Sequence, residues 1–278
     1  MNIIHQETII RDSAGHAVQL APGAALRIFA SQKCGAEGFR TAHLEIGPGA
    51  QLPYHVHDCS EAAIVLSGSA SIAVQGRKYS LNALDCIHIP KGIPHSTRND
   101  SSEVNLTLLA AFDHSEPDRR SVDGNGYEVV QRDLETPEPC DPEHIQRFAH
   151  AESYELAPGT RFFDLFAGRF GSGGICGGYG EFLPDASLPC HVHDFGESIT
   201  IVRGAACCET AGRQHHLSRC DTVFIPPGYP HRFLNNSQQE MGMIWIYANR
   251  EPTRTIVPAE QCTGASIGRR PIHEPRSC

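Results

Sequence analysis

The sequence contains no apolar run near the roughly 20 residues that a membrane helix needs, which argues against a helical membrane protein. It has no basic excess either. Against 32 acidic residues there are 23 Lys and Arg, for a formal net charge of -9. A chain of that sign repels phosphate backbones, so nucleic acid is not an expected partner. The opening residues MNIIHQETIIRDSAG lack a basic stretch followed by an apolar one. No secretory signal is read there, a storage role is disfavoured, and a cytoplasmic protein is expected. Helix-period patterns are nearly missing. Cysteine is not scarce, but no C-x-x-C occurs, the count of eleven is odd and the spacing is irregular. Reduced, mostly buried thiols are the expected state.

What is present is a repeat. His55 and His191 stand 136 positions apart, and the same offset joins His57 to His193, Glu61 to Glu197 and Gly68 to Gly204. It also joins Pro90 to Pro226, Gly92 to Gly228, His95 to His231 and Asn99 to Asn235. It reaches back to Ala21-Pro22-Gly23 against Ala157-Pro158-Gly159. The chain therefore reads as a duplicated domain. The halves are 1–112 and 150–250, with a Pro-, Gly- and charge-rich linker at 113–149 and a tail at 251–278. One short strand is expected in the linker, at 127–131. Each half carries short β-branched runs, such as AAIVLSG and DTVFIPPG, broken by Gly, Pro and Asn. Turns at this spacing predict an all-β fold, two tandem jelly-roll β-barrels.

The chemistry lies in two spaced sets. The first runs Gly49-x5-His55-x-His57-x3-Glu61-x6-Gly68, then Pro90-x-Gly92-x2-His95-x3-Asn99. The second is His191-x-His193-x3-Glu197-x6-Gly204, then Pro226-x-Gly228-x2-His231-x3-Asn235. Strand side chains alternate, so the two histidines of each H-x-H share a face. Glu61 returns to that face if the chain stays extended, and His95 reaches it from a neighbouring strand after the Pro-x-Gly turn. Three imidazoles and a carboxylate then converge on one divalent ion and leave positions open for substrate. Iron leads the expectation, with Mn, Ni, Zn, Co and Cu as alternatives, because affinity order alone does not choose.

These motifs resemble the cupin superfamily, and their duplication resembles its two-domain, bicupin members. The resemblance covers about 50 residues of each half. It implies one metal per domain, held by His55, His57, Glu61 and His95 and by His191, His193, Glu197 and His231. Two departures fall at turns. Asp185 replaces the counterpart of Gly49, and Leu84 and Cys220 stand where a glycine is expected before each Pro-x-Gly. They put loop geometry in question, not metal binding.

Beyond the ligands, Glu45 and Glu181 are candidate acids or bases if they face inward, and Glu61 and Glu197 could take a proton while ligating. His43 and Tyr179 stand two residues before them. His88 reads as a packed histidine, not a fifth ligand. Asp58 and Asp194 read as turn residues. Tyr179, Phe224, Phe233, Trp245 and Tyr247 suggest that the second cavity suits a flat apolar or enolic substrate. Arg40, His43, His88, Thr97 and Arg98 suggest that the first suits a polar one. The second site is the expected seat of chemistry.

Three functional readings stay open, because fold does not dictate function. The leading one is a dioxygenase acting with O2 on a small enolic or phenolic substrate bound to the metal. The alternative is a non-oxidative isomerase or decarboxylase of a sugar acid or oxo-acid. Within it, oxalate decarboxylase is disfavoured, since that enzyme's Ser-Glu-Asn-Ser-Thr lid stretch has no counterpart here and the chain is short. The third is a non-catalytic binding module. The partners expected are a small molecule and further copies of the chain, as a homodimer or larger homo-oligomer that covers sheet edges.

Overall fold

The computed structural model describes residues 6–12, 17–127 and 134–264. The strand expected at 127–131 falls almost wholly outside them. The described chain is built of β-strands, with short 3-10 turns and one short helix, Ala259–Thr263. All of its strands lie in four antiparallel sheets, two per half.

In the first half, a seven-stranded sheet runs His144–Gln146, Cys86–Ile89, Glu61–Ser67, Leu106–Phe112, Arg40–Ile46, Ala24–Ile28, Ala17–Ala21. A five-stranded sheet faces it, in the order Arg119–Ser121, Gln51–His57, His95–Arg98, Ala70–Val74, Arg77–Leu81. The second half repeats both. Its seven strands are Thr8–Ile10, Thr222–Ile225, Glu197–Arg203, Met241–Tyr247, Cys176–Phe182, Thr160–Phe166 and Ser153–Tyr154. Its five are Arg213–Ser218, Ala205–Thr210, His231–Leu234, His191–Val192 and Thr255–Ile256. The duplicated β-rich halves expected from the repeat are present. No described sheet closes on itself, however, so each half is a pair of open facing sheets where a closed barrel was expected.

Side-chain parity explains the layering. In Glu61–Ser67, Ala63 and Val65 point into the core between the two sheets of their own half. Ala62 and Ile64 point the other way, into a second core shared with Phe163, Phe166, Phe224 and Ile246 of the other half. The two seven-stranded sheets thus pack back to back. Strands covered on both faces must be apolar throughout, which is why AAIVL and MIWI show little alternation. Each fully buried Phe or Ile in this seam contributes about 1.5–3 kcal/mol.

The halves also exchange strands. Thr8–Ile10 joins the second half's sheet, with Thr8 opposite Phe224. Its repeat counterpart His144–Gln146 joins the first half's sheet, with His144 opposite His88. Matching ion pairs fasten both ends, Arg11 Nη1 to Asp221 Oδ2 at 2.7 Å and Arg147 Nη1 to Asp85 Oδ2 at 3.0 Å. The segment that reads as linker is therefore tied to the first half's sheets at Arg119–Ser121 and at His144–Gln146.

The turns behave as the motifs require. Gly68 and Gly204 have φ of 79° and 66°, and a Cβ there would come within 2.9 and 2.6 Å of a carbonyl oxygen. The glycine departures keep the left-handed geometry without glycine, with φ of 67° at Leu84, 62° at Asp185 and 69° at Cys220. Loop shape is conserved between the halves at a steric cost of about 1–2 kcal/mol per residue.

Candidate metal centres

His55 and His57 lie on Gln51–His57 and share a face, as alternation demands. His95 opens His95–Arg98 and pairs directly with His55. The Pro-x-Gly turn places it, because the Gly92 N–H donates to the His57 carbonyl at 2.9 Å. Asn99 then locks that strand's far end, its amide donating to the Ile46 and Val104 carbonyls. Glu61 arrives differently from the expectation. The chain bends at 58–60 and crosses to the facing sheet, so the carboxylate meets the imidazoles from the opposite wall. His191, His193, Glu197 and His231 repeat this arrangement, with His191 opposite His231. In each set the four ligand atoms lie within 4.8 Å of one another, and all eight residues are buried.

The ring tautomers follow from the backbone. Each Nδ1 of the first site faces a carbonyl oxygen, those of Pro53, Asp118 and Ile93, at 2.6–2.9 Å. In the second site the carbonyls are those of Pro189, Thr253 and Tyr229, at 2.6–2.9 Å. A carbonyl only accepts, so Nδ1 carries the proton and the Nε2 lone pair points inward. Three lone pairs therefore meet a carboxylate. Glu197 Oε2 lies 3.3 Å from His193 Nε2 and 2.8 Å from His231 Nε2, yet none of the three has a hydrogen-bond partner. Buried acceptors facing acceptors are unfavourable unless a cation sits among them. The first site repeats the donor types and spacing, with Glu61 Oε2 3.0 Å from His95 Nε2 and 3.3 Å from His57 Nε2, so the donor set fits one divalent ion in each half.

The electrostatics agree. Burial, with the neighbouring His95 adding to it, pulls the His55 pKa down to about 3, so this ring is neutral at physiological pH. Burial alone would raise Glu61, but its contacts with His57 and His95 outweigh that and hold the carboxyl well below its usual range, while the same carboxylate raises His57 against its burial; a cation among them would take the place of those protons. Neutral imidazoles and an ionised carboxylate are the forms that ligate.

The cavities above the two sites differ. The first, of about 180 Å³, is lined by apolar strand residues together with Arg40 and Arg119. Arg40 is paired to Glu116. Arg119 has no ion pair among the described residues, and its buried Nε lacks a partner. Burial lowers its pKa, while the charge of Glu61 works in the opposite direction. The second cavity, of about 50 Å³, is walled by Tyr154, Phe162, Phe233, Trp245 and Tyr247, with Arg254 at its edge. More room lies in the first half, although the second was the expected seat of chemistry.

Other sequence candidates fall elsewhere. Leu44 and Ile46 face the core of their half, so Glu45 faces away from it, where it accepts a 2.6 Å bond from Asn105 Nδ2. Glu181 pairs with Arg161. Neither carboxylate lines a metal cavity. Tyr179 and Phe224 pack in the seam between halves, whereas Phe233, Trp245 and Tyr247 reach the second cavity. His88 is buried outside both clusters. Asp58 Oδ1 accepts the Asp118 N–H and so holds backbone. Of the polar residues expected in the first cavity, Arg40 lines it, while Thr97 and Arg98 do not. Arg119 and Arg254 escaped the sequence reading. They lie in charge-rich segments whose pattern signals only loop.

The cysteine expectation needs correction. Cys190 and Cys262 form a disulfide, with their Cα atoms 6.0 Å apart. The chain between them folds back so that Thr255–Ile256 pairs with His191–Val192, and this brings the two thiols together. Cys190 is therefore not a free thiol beside a ligand. The eight other described cysteines are unbridged.

Comparison with known proteins gives a family and a fold. The Cupin domain family matches residues 42–112 and 178–247. Quercetin 2,3-dioxygenase of Bacillus subtilis is 32% identical over 117 residues, which are 41% of this chain and 33% of that protein. The chain thus matches about a third of that relative's length. Among solved structures, a point mutant of Bacillus subtilis oxalate decarboxylase superposes with a TM-score of 0.73 at 18% identity, over 90% of this chain and 79% of that one. The formate complex of Lactobacillus farciminis oxalate decarboxylase gives 0.73 at 17%, over 90% and 88%. A further structure of the Bacillus enzyme, which has Mn(II) centres, gives 0.71 at 17%, over 90% and 79%. At such identities the likeness is one of fold. No helix among the described residues is long and apolar enough to cross a membrane.

Proposed function

The chain belongs to the cupin family, and on that premise we propose that it is a metal-dependent bicupin enzyme that converts a small carboxylate substrate without net oxidation. Decarboxylation or isomerisation of an oxo-acid in the first cavity is the reaction class. The observation that carries this reading is Arg119, a half-buried guanidinium that has no carboxylate partner among the described residues and lines the cavity beside His55, His57 and Glu61. An unpaired cation in a confined apolar pocket selects an anion, and the fork of the guanidinium matches a carboxylate.

A divalent ion held by His55, His57, Glu61 and His95 would supply Lewis-acid polarisation of the substrate oxygens. The protein's own residues do the rest. Arg119 binds and orients the carboxylate. Arg40, held by Glu116, adds positive charge to the same wall. Leu44, Leu52 and Phe112, buried in its wall, limit water. Glu45 and Glu181 line neither metal cavity, and Glu61 is the first cavity's own carboxylate. In a decarboxylation the electron pair of the broken C–C bond stays on carbon and takes up one proton for each CO2 released. The fold likeness to oxalate decarboxylases supports this reading over an oxidative one, and the Mn(II) centres of the Bacillus enzyme make manganese the first metal to test. We take 1–112 and 150–250 as the bodies of the two cupin units, completed by the exchanged strands Thr8–Ile10 and His144–Gln146 and by the edge strands Arg119–Ser121 and Thr255–Ile256.

The alternative is a dioxygenase on an enolic or phenolic substrate. It is favoured by the match to quercetin 2,3-dioxygenase and by the aromatic walls of the second cavity. One experiment separates the two. Manganese-loaded and iron-loaded protein is incubated with oxalate, small oxo-acids and a flavonol, while CO2 release and O2 uptake are followed together. Product without stoichiometric O2 uptake supports the first reading, and one O2 consumed per turnover supports the second. Arg119→Gln should raise KM for the carboxylate and cost about tenfold to a hundredfold in kcat/KM with metal content unchanged. Unaltered kinetics in that variant would remove the basis of the carboxylate assignment.

A further inference from the structure

The back-to-back seam has two repeat-related ends, and they are built differently. At one end Phe148, Phe163 and Tyr179 fill the space, with Phe148 4.9 Å from Phe163 and 5.5 Å from Tyr179, ring centre to ring centre. At the other, the residues 136 positions earlier are Asp12, Arg27 and His43. The equivalence is structural as well as numerical. The Phe148 N–H donates to Asp85 Oδ1 at 2.9 Å, and the Asp12 N–H donates to Asp221 Oδ1 at 3.1 Å. Where the aromatic trio plugs one end, the charged trio lines a cavity of about 350 Å³ between the halves, completed from the second half by Val202, Arg219 and Cys220.

This cavity is distinct from both metal sites and shares no lining residue with them. Its polar groups are incompletely used. His43 is 93% buried (7% exposed), and its Nε2 has no hydrogen-bond partner. Arg27 gives one nitrogen to Asp12, at 2.8 Å, while its Nε is buried and unpartnered. Arg219 spends its Nε on the Val202 carbonyl at 3.3 Å and forms no ion pair among the described residues. The cavity's other carboxylate, Glu45, accepts from Asn105. Two guanidiniums thus face one salt-bridged carboxylate and one hydrogen-bonded carboxylate. Leaving buried donors unmade costs about 1–3 kcal/mol each, so a ligand that uses them is stabilised on entry. Burial, and next to it the charge of Arg27, lowers the His43 pKa to about 4. The carboxylates of Asp12 and Glu45 are each already engaged, and the unpartnered buried nitrogens of the cavity are those of Arg27 and His43.

We propose that this hollow end of the seam is a second ligand site, which takes a small oxyanion, a carboxylate or phosphate group, between Arg27, Arg219 and His43. Its occupant bridges the two halves. It therefore stabilises their contact by mass action and leaves the metal ligands untouched.

The test uses metal-loaded full-length protein. The His43 ring signal, assigned by its loss in His43→Gln, is followed by NMR during titration with inorganic phosphate and, separately, with succinate. Movement with phosphate alone assigns a phosphate-type ligand, and movement with succinate alone assigns an organic acid. Either supports the site. Arg27→Gln should weaken the response about tenfold or more. The triple variant Asp12→Phe, Arg27→Phe, His43→Tyr copies the plug of the other end. It should keep both metals and lose the calorimetric binding of the probe that moved His43. If the plug variant misfolds, Arg27→Gln and Arg219→Gln carry the same comparison. A His43 signal unmoved by millimolar concentrations of both probes, or an equal affinity in wild type and Arg27→Gln, would overturn the proposal.

Discussion

Breaking the Cys190–Cys262 bridge should loosen the second metal centre and leave the first intact. The bridge fastens the C-terminal strap to the residue before His191. That strap supplies the Thr253 carbonyl to His193 Nδ1 at 2.6 Å, pairs Ile256 with His191, and donates the Val257 N–H to the Cys190 carbonyl at 2.9 Å. The first half holds the equivalent strap without sulfur. Tyr54, the counterpart of Cys190, stacks on Tyr127 with ring centres 5.1 Å apart. Closing a loop between residues 72 positions apart is worth about 4 kcal/mol in the chain-entropy account. A drop in Tm on the order of 10 °C is expected if the whole of it is lost. Removing the carbonyl that orients a ligating histidine costs about tenfold to a hundredfold in metal affinity. The Cys190→Ser, Cys262→Ser double variant, or wild type under dithiothreitol, is dialysed against a mild chelator and its metal measured. Bound metal should fall from about two equivalents towards about one, the loss arising at the strap-dependent site. Equal retention by both centres with an unchanged Tm would refute the reasoning, as would rapid alkylation of both cysteines in unreduced native protein.

Three further predictions follow from other parts of the molecule. Glu197→Ala or His231→Ala should remove metal from the second site while the first stays loaded, and Glu61→Ala should do the reverse. Equal metal in variant and wild type would contradict the ligand sets. His88 is 2% exposed, and burial lowers its pKa to about 4. The unfolded chain therefore binds a proton near pH 6.5 that the folded chain refuses until about pH 4. Stability falls as pH drops through that window, by about 3 kcal/mol from this residue. His88→Phe, which installs the residue found at its counterpart Phe224, should flatten the pH dependence of the urea midpoint between those limits, and an unchanged slope would count against it. The two-residue hairpins Gln75-Gly76 and Ala211-Gly212 place non-glycine residues at φ of 47° and 45°. Asn suits that position, so Gln75→Asn and Ala211→Asn should each add roughly 0.5 kcal/mol, read as a higher urea midpoint with unchanged slope.

Much of the site was legible because its information is local and doubled. An H-x-H on a strand fixes two side chains to one face whatever lies beyond it. The 136-residue offset separates the functional positions from chance histidines. The glycine departures at Asp185, Leu84 and Cys220 left a question that the backbone answers, since all three hold the left-handed conformation. Glu61 was assigned correctly to its cluster by a path the chain does not take. Spacing counts residues, and a bend that changes sheets can satisfy the same count as an extended strand. Glu45 and Glu181 depended on knowing which face of their strands meets the metal, and alternation gives two faces without naming them.

The sequence alone determined the duplication, the β architecture and the two sets of metal ligands, because periodicity and spacing act within a few residues of the backbone. Tertiary structure decided what surrounds those ligands. It exchanged the first strand of each half, turned Glu45 and His43 towards the seam and brought Arg119 from a loop-like segment to the first cavity. It also joined Cys190 to Cys262 across 72 positions and left one end of the seam hollow where the other is filled. Each of these depends on which sheets pack face to face. That choice is set by summed burial between residues far apart in the chain, and no local pattern carries it.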